Sequence, residues 1–346
     1  MTTLRFRIGY LERPMNEAFL ATAAKCPDLE IRRIGLDQSE TAIAAALADC
    51  HGYYVWAARH ELPLPWHVTP GLLARLPNLI MVASYGAGYD TIDVEACTAA
   101  GIAVVNQAGG NAEGVAEHAL GMMLLLLKRV PEAHAAMRAG TVRDRDALIG
   151  RELVNRTVGL VGLGHVGTRV AQLLNVFGCR VLAADPALDA STVAARGATK
   201  VEMPELLAAS DIISLHCPLT AETRGVIDAA AIARMRPDAL LITTARGFIV
   251  DEAALLAALQ EGRLGGAGLD VWEQEPPPAS HPLLAHPAVL ASPHTAGVTA
   301  ESRARVASMA AEAFAAAVHG LPPRLVNPEV ADRFTVRRNA MLSAAA

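Results

Sequence analysis

The chain has 346 residues, enough for two or three domains, and its composition of 52% hydrophobic and 19% charged residues argues against disorder. The formal net charge is −5 and no Lys/Arg cluster forms a basic stripe, so nucleic acid is not an expected partner. The longest apolar run, HALGMMLLLL at residues 118–127, is too short to cross a bilayer, so we expect no membrane-spanning segment.

Five apolar segments within the first 117 residues predict β-strands, with helical patterns between them. The predicted strands are RFRIGYL (5–11), LEIRRIG (29–35), GYYVWAA (52–58), NLIMVASYG (78–86) and IAVVNQAG (102–109), and the helices include NEAFLATAAK (16–25) and ETAIAAALADC (40–50). This α/β domain has no phosphate-binding fingerprint. It does contain SYGAGYD (84–90), a glycine-rich turn whose backbone amides can hold a small anion, with an ordinary tight turn as the equal alternative.

A dinucleotide-binding fingerprint follows at residues 157–174, TVGLVGLGHVGTRVAQLL, where an apolar strand, a glycine-rich turn and a helix succeed one another. Gly162 permits the tight turn, Gly164 lets the backbone approach a pyrophosphate, and Gly167 lets the helix pack closely on the strand. We expect the helix over TRVAQLLNVFG (168–178), with its N-terminal amides directed at the phosphate.

The next predicted strand, CRVLAAD (179–185), ends at Asp185, 23 residues after Gly162. A carboxylate at about this offset binds the adenosine ribose hydroxyls and repels a 2′-phosphate. Since Pro186, Ala187 and Leu188 follow and no Arg is expected nearby to hold that phosphate, the sequence favours NAD(H) over NADP(H).

Further apolar strands alternate with helical segments such as DEAALLAALQEG (251–262), the pattern of a parallel doubly wound sheet. These strands are DIISLHC (211–217), ALLITTA (239–245), GGAGLDV (265–271) and AVLASPH (288–294). Because ligands bind at the carboxyl ends of such strands, their terminal polar residues are candidate site residues. They are His216, Arg246, Asp270 and His294.

Seven motifs follow one another along the chain: GAGYDTID (86–93), VVNQAGGNAEGVAEHALGMML (104–124), GLVGLGHVG (159–167), HCPLTAETRGVI (216–227), TTARGFIVDEAAL (243–255), GAGLDVWEQEP (266–276) and SPHTAGVT (292–299). In these motifs and their order the chain resembles the D-isomer-specific 2-hydroxyacid dehydrogenases. The resemblance implies two Rossmann-like or flavodoxin-like α/β domains, with an NAD-binding domain (118–299) inserted into a substrate domain (1–117 and 300–346). The last helix, about 300–318, then returns to the substrate domain.

The resemblance also implies a catalytic triad of Arg246, Glu275 and His294. The planar fork of Arg246 suits the carboxylate and carbonyl oxygens of a 2-oxo acid. His294 can exchange a proton with the substrate oxygen, and Glu275 beside it would favour the charged imidazole. The implied activity is hydride transfer between NAD(H) and a D-2-hydroxy acid or its 2-oxo acid.

By the same resemblance the amides of Ala87 and Gly88 hold the substrate carboxylate, and a homodimer forms through the helix near 117–130. The expected cofactor contacts are Val115, Gly162, Gly164, His165, Val166, Gly167, Asp185, Cys217, Pro218, Thr223, Thr244, Ala245, Asp270, His294 and Gly297. No metal is expected, because His281 and His286 have no surrounding ligand cluster.

Location and substrate rest on weaker signals. Five cysteines form no CxxC pair and the first 14 residues lack a signal-peptide core, which favours a cytoplasmic protein with free thiols. The sequence does not choose among hydroxypyruvate, glyoxylate, 3-phosphohydroxypyruvate and bulkier 2-oxo acids. Trp56, Arg59 and His60 can meet the distal end of the substrate, and Arg59 would favour a second anionic group, but a solvated loop is the stronger alternative.

A second class of function stays open. Transcriptional corepressors of this fold retain the dinucleotide site and the triad but act as NAD(H)-sensing binding proteins. Such proteins carry a long flexible tail, whereas only a short segment follows NPEV (327–330) here, which favours the enzyme.

Overall fold

A computed structural model describes residues 5–12 and 16–343 of the chain. Residues 1–4, 13–15 and 344–346, which belong to the predicted substrate domain and include part of the N-terminal segment considered above, lie outside the described residues. The chain divides into two compact units, one formed by residues up to Asn111 together with those from Thr299 onward, the other by Ala112–Val298.

The first unit contains, within the described residues, a sheet of five parallel strands in the order β2-β1-β3-β4-β5. Its elements up to residue 105 are β1 (Phe6–Leu11), α1 (Glu17–Ala23), β2 (Leu29–Ile34), α2 (Glu40–Ala48), β3 (Gly52–Val55), α3 (Pro70–Leu73), β4 (Met81–Ser84), α4 (Val94–Ala99) and β5 (Ala103–Val105). Short 3₁₀ turns lie at Arg59–Glu61 and Leu64–Trp66. This strand order is that of flavodoxin-like sheets.

The second unit contains, again counting described residues, seven parallel strands in the order β12-β11-β10-β9-β6-β7-β8. Its elements are α5 (Ala112–Leu127), α6 (Val130–Ala139), β6 (Thr157–Val161), α7 (His165–Val176), β7 (Arg180–Ala184), α8 (Ala190–Ala195), β8 (Thr199–Lys200), α9 (Met203–Ala209), β9 (Ile212–Leu215), α10 (Ala229–Arg234), β10 (Leu240–Thr243), α11 (Glu252–Gln260), β11 (Gly266–Leu269), α12 (Pro282–Ala285) and β12 (Val289–Ala291), with a 3₁₀ turn at Asp146–Leu148. The order reverses at β6, as in doubly wound dinucleotide-binding sheets.

The chain then returns to the first unit with α13 (Ala300–His319), a 3₁₀ turn at Pro328–Val330 and α14 (Ala331–Ser343). Thr299 caps α13 by accepting a hydrogen bond from the amide of Ser302 at 3.1 Å. Small alanines on one face of α13 let it approach the sheet, where Phe314 packs in the same apolar cluster as Phe6 and Phe19. Helix α13 therefore completes the core that the first strands begin.

The predicted fold class, α/β with two parallel sheets, is confirmed. The predicted strands are present but shorter: β3 ends at Val55, three residues before its predicted end, and β4 covers only Met81–Ser84 of the predicted 78–86. Helix α7 begins at His165, three residues before its predicted start, so the fingerprint glycine Gly167 lies inside its first turn. None of the described helices combines the length and the apolar character needed to span a bilayer.

Candidate active site

The glycine-rich turn 162–167 connects β6 to α7, and two of its glycines are sterically required. Gly162 has φ = +88°, and a Cβ there would lie 2.8 Å from the backbone nitrogen of Cys217. A Cβ on Gly167 would lie 2.3 Å from the carbonyl oxygen of Gly162, so the helix can pack on the turn only with glycine. At Gly164, by contrast, a Cβ would meet nothing within 4 Å, which leaves open space above the turn.

The start of α7 presents unsatisfied hydrogen-bond donors to this space. Helix α7 has Gly164 as its N-cap and no side-chain cap. Among the described residues, no acceptor is found for the amides of Gly164, His165 and Val166. Open amides at a helix N-terminus attract an anion such as a pyrophosphate. The residues present therefore fit a dinucleotide.

Asp185 follows β7 and is tied to the same turn. Its carboxylate accepts a hydrogen bond from the amide of Leu163 at 2.8 Å and a second from the amide of Ala187 at 3.0 Å. The expectation that no arginine lies nearby is wrong, because Arg196, at the end of α8, donates to the carbonyl oxygen of Leu163. Leu163 thus contacts an acid through its amide and a guanidinium through its carbonyl.

His294 and Glu275 form a hydrogen-bonded pair. The Nδ1 of His294 lies 2.8 Å from Oε2 of Glu275, and the other oxygen, Oε1, accepts a hydrogen bond from the amide of Trp272 at 3.1 Å. The two side chains are largely buried, with exposed fractions of 28% and 20%. Both carboxylate oxygens are therefore engaged, which fixes Glu275 and leaves Nε2 of His294 as the outward nitrogen.

The environment of His294 raises its pKa above the ordinary value of 6.5. Burial alone lowers this pKa, but the hydrogen bond and the negative charge of Glu275 outweigh it. Arg246 is close enough for its positive charge to lower the pKa of His294, and Asp270 raises it further. The imidazole is thus held as a proton donor within reach of a guanidinium.

Asp270, fully buried at the end of β11, holds the loop that carries His294. Its carbonyl oxygen accepts the amide of His294 at 2.7 Å, and its two carboxylate oxygens accept the amides of Thr295 at 2.8 Å and Ala296 at 2.9 Å. His294 itself has φ = +55°, an uncommon backbone conformation for a residue with a side chain. The three bonds to Asp270 stabilise that conformation.

Ser292 and His118 extend this network, although the sequence alone does not single them out as site residues. Ser292 Oγ donates to Oδ1 of Asp270 at 2.6 Å, and Nε2 of His118 lies 3.0 Å from the same Oγ. Because the single hydroxyl proton of Ser292 points to Asp270, Nε2 of His118 carries the proton that it donates to Ser292. His118 lies in the second turn of α5, far from residue 270 in sequence, so only the fold reveals its role.

Arg246 and Thr244 follow β10 in the segment next to this network. The Nη1 of Arg246 donates to the carbonyl oxygen of Ala245 at 2.7 Å, which orients the guanidinium. The hydroxyl of Thr244 is buried and has no hydrogen-bond partner among the described residues. An unpaired buried hydroxyl is costly unless a ligand satisfies it, which again fits a bound cofactor.

The remaining predicted cofactor residues all belong to the second unit, in loops after its strands or on α5. Their positions are Val115 on α5, Cys217, Pro218 and Thr223 after β9, Ala245 after β10 and Gly297 after β12. The backbone of Cys217 lies directly against Gly162, so β9 and the glycine-rich turn meet. His216 is not a candidate proton donor, since burial lowers its pKa to about 4.

The turn 84–90 lies in the first unit, after β4, and carries Ala87 and Gly88. Its carbonyl groups are engaged: Asn106 Nδ2 donates to the oxygen of Ala87 at 2.7 Å, and the hydroxyl of Ser84 donates to the oxygen of Gly88. Among the described residues, the amides of Ala87 and Gly88 have no acceptor. This turn therefore offers two donors to an anion.

Comparison with known proteins identifies the family of this chain, which combines two parallel α/β sheets, a dinucleotide-binding turn and a hydrogen-bonded Glu–His pair. Residues 120–296 match the model of the NAD-binding domain of the D-isomer-specific 2-hydroxyacid dehydrogenases. The chain belongs to this family, as its motifs predicted.

Its relatives include several dehydrogenases and reductases. Glyoxylate reductase of Korarchaeum cryptofilum is 41% identical over 258 residues, which cover 73% of the chain and 78% of the relative. D-3-phosphoglycerate dehydrogenase of Bacillus subtilis is 38% identical over 255 residues, covering 74% of the chain but only 48% of the relative. The chain thus spans about half the length of the phosphoglycerate dehydrogenases that it matches. Among solved structures, D-lactate dehydrogenase of Aquifex aeolicus, complexed with NAD and lactic acid, is 27% identical with a TM-score of 0.75 and covers 97% of this chain and 98% of its own.

Proposed function

We propose that the protein is an NAD-dependent oxidoreductase that interconverts a D-2-hydroxy acid and its 2-oxo acid. The observation that carries this proposal is the pair formed by His294 and Glu275, whose 2.8 Å hydrogen bond and raised histidine pKa provide a proton donor beside the cation Arg246. A ketone that accepts a hydride needs both a proton and a group that polarises its oxygen.

Each side chain has a separate task in this proposal. The guanidinium of Arg246 binds the substrate carboxylate and polarises the neighbouring carbonyl. His294, protonated, gives the proton on Nε2 to the developing alkoxide; in the reverse direction neutral His294 takes the hydroxyl proton. Glu275 stabilises the imidazolium and holds the ring in one orientation through Nδ1.

The cofactor would be held by turn 162–167, by Asp185 and by the segment that contains Thr244. When bound, the nicotinamide supplies or accepts the hydride. Open amides at the start of α7, the carboxylate of Asp185 and the unpaired hydroxyl of Thr244 support this assignment. Asp185 favours NADH, because a carboxylate accepts hydrogen bonds from ribose hydroxyls and repels a 2′-phosphate.

For the substrate we propose that the amides of Ala87 and Gly88 also bind a carboxylate. The support is that both amides lack acceptors while the carbonyls of the same turn are engaged. Arg59, whose Nε donates to the carbonyl oxygen of Asp90 at 2.9 Å, lies next to this turn and would favour a substrate with a second anionic group.

The test is a steady-state assay of NADH oxidation with a panel of 2-oxo acids: glyoxylate, hydroxypyruvate, 3-phosphohydroxypyruvate and a branched 2-oxo acid. We expect turnover with at least one of them, lost in Arg246→Ala. The Arg59→Gln substitution should weaken the binding of only those substrates that carry a distal anionic group. NADH binding without turnover of any 2-oxo acid would instead favour the NAD(H)-sensing binding protein.

We further propose a cytoplasmic homodimer formed through the helix near residues 117–130, with the adjoining helix α6 as part of the interface. No residue of α6, a helix described in full, is buried, and Met137 on it is 70% exposed. Exposed apolar side chains clustered on one helix suit a subunit interface. The five cysteines are buried free thiols, which suits a reducing compartment. Light scattering should give about twice the 36.3 kDa mass of the chain; a monomer mass would contradict the dimer.

A further inference from the structure

Three side chains that are far apart in sequence meet at one place in the first unit. Cys26 and Asp28 lie in the connection from α1 to β2, and His319 is the last residue of α13. Over residues 5–12 and 16–343, they form the one group of three or more His, Cys, Asp or Glu side chains whose ligand atoms all lie within 4.8 Å of one another. The Sγ of Cys26 is 3.9 Å from Nε2 of His319.

The backbone around the three side chains is held by hydrogen bonds. The amide of Cys26 donates to the carbonyl oxygen of Ala23 at 2.9 Å, and the carbonyl oxygen of Asp28 accepts from the amide of Phe6 at 2.6 Å. His319 ends a 20-residue helix. The three side chains can therefore converge on a single ion by rotation alone, without any change in the main chain.

Helix α1, which precedes Cys26 and Asp28, and helix α13, which ends at His319, are packed against each other. Phe19 of α1 and Phe314 of α13 lie in one apolar cluster, with ring centroids 6.3 Å apart. Thr22 and Ser308 connect the same helices through a 3.3 Å hydrogen bond between their hydroxyls. The distance between the two sides of the cluster is thus fixed by the core of the unit.

The separation of the Cys26 and His319 ligand atoms is close to that of two ligands on a tetrahedral zinc ion, and Asp28 lies within 4.8 Å of both. With Zn–S of about 2.3 Å and Zn–N of about 2.05 Å, a tetrahedral angle puts sulfur and nitrogen about 3.6 Å apart. The observed 3.9 Å between Cys26 and His319 needs only a small contraction. Thiolate and imidazole select borderline-soft metals such as Zn²⁺ over Mg²⁺ and Ca²⁺, which prefer oxygen ligands.

We propose that Cys26, Asp28 and His319 bind one Zn²⁺ ion, with the fourth position filled by water. Cys26 is buried, Asp28 is half-buried and His319 is exposed, so the group lies at the edge of the core where water has access. Binding releases the thiol proton of Cys26, because the thiolate is the ligand. The ion would join the end of α13 to the α1–β2 connection. This site shares no residue with those proposed for hydride transfer.

The test is a Zn²⁺ titration, by calorimetry, of chelator-treated full-length protein in a non-thiol reductant. We expect one Zn²⁺ per chain and a higher melting temperature with Zn²⁺ but not with Mg²⁺, since a ligand that binds only the folded state stabilises it. Cys26→Ser and His319→Gln should each weaken Zn²⁺ binding by at least about tenfold. A loss of about this size is usual even when only a residue that supports a metal ligand is replaced. Co²⁺ should give a thiolate charge-transfer band that disappears in Cys26→Ser.

Two controls separate this site from other histidines. His134→Gln alters an exposed histidine on α6, and His294→Gln alters the proposed catalytic pair; both should bind Zn²⁺ as the wild type does. The exposed His319 can be replaced without disturbing the core, so that variant remains informative if Cys26→Ser unfolds. A wild type that binds no Zn²⁺, or equal affinity in His319→Gln, overturns the proposal, and neither result bears on the dehydrogenase function.

Discussion

The two glycine-rich turns, 84–90 and 162–167, offer anion-binding amides in different ways. In turn 84–90, side chains such as Asn106 and Ser84 occupy the carbonyl groups, so the amides of Ala87 and Gly88 are left over. In turn 162–167 the open amides belong to the first turn of α7, where no earlier carbonyl can reach them. The first is a small two-donor site, and the second carries in addition the dipole of a helix.

The glycines also differ in what they are needed for. At Gly162 the backbone conformation and the neighbouring strand both exclude a side chain, as the +88° φ and the 2.8 Å approach to Cys217 indicate. At Gly86 a Cβ would make only an ordinary 3.4 Å contact with Ala57. Glycine spacing alone therefore does not reveal which glycine is essential; the contacts of the absent Cβ do.

The largest effect is expected for His294→Ala, which should lower the reaction rate while leaving NADH binding intact. Both turns keep their donors in this variant, so NADH affinity should be nearly unchanged. The rate should fall by about 10²–10⁴, the usual loss when a general acid is removed. Stopped-flow measurement of a single turnover, together with NADH titration by fluorescence, separates the two quantities. A loss below tenfold would mean that another group supplies the proton.

Gly162→Ala tests the steric difference between the turns. A non-glycine residue in a disfavoured backbone region costs on the order of 1–3 kcal/mol, and the overlap with Cys217 adds to that cost. We expect a lower melting temperature and at least about tenfold weaker NADH binding. The matched Gly86→Ala variant should retain both. Equal behaviour of the two variants would contradict the steric assignment.

Asp185→Ser sharpens the assignment of turn 162–167 to the cofactor. Hydrogen bonds to a charged group are worth about 1.5–3 kcal/mol, so kcat/KM with NADH should fall roughly tenfold to a hundredfold. Activity with NADPH should rise, because the repulsion of a 2′-phosphate is removed and Arg196 remains beside the turn. Adding Arg196→Gln should reduce that gain. Equal use of both cofactors by the wild type would show that Asp185 does not select between them.

Glu275→Gln should produce the smallest effect, a displacement of the pH profiles. In the wild type, reduction of the 2-oxo acid requires protonated His294 and declines as pH rises through a pKa that lies above 6.5. Without the charge of Glu275, burial and Arg246 both lower the pKa of His294, so the decline should occur at lower pH. Oxidation of the hydroxy acid, which needs neutral His294, should rise at lower pH as well. If the pH profiles of the variant match those of the wild type, Glu275 does not set the pKa of His294 and is not part of the proton-transferring pair.

Much of the fold was predictable because each unit repeats strand and helix with clear apolar runs. The two-residue strand β8 was not predicted, since Thr199 and Lys200 form no apolar pattern, and α14 has few apolar residues to mark it. The start of α7 was placed too late because Gly164 replaces the usual Ser, Thr, Asp or Asn as its N-cap.

The candidate site was predictable where a motif carries it and hidden where the fold assembles it. Arg246, Glu275 and His294 stand in recognisable motifs, and the structure brings Glu275 and His294 into contact. His118 and Ser292 each lie in a motif, but the sequence does not show that they pair, because they are 174 residues apart. The contact of Arg196 with the glycine-rich turn is not predictable from the sequence, because Arg196 follows α8, 33 residues after its partner Leu163.

The three amides that bond to Asp270 have a consequence for reorganisation during turnover. They hold His294 in its uncommon backbone conformation in the chain alone, with the Glu275 bond already made at 2.8 Å. The free energy of orienting the acid is therefore spent during folding rather than at each catalytic cycle. The displaced pKa of His294 should accordingly be visible in the kcat/KM profile, which reports the free enzyme, and not only in kcat.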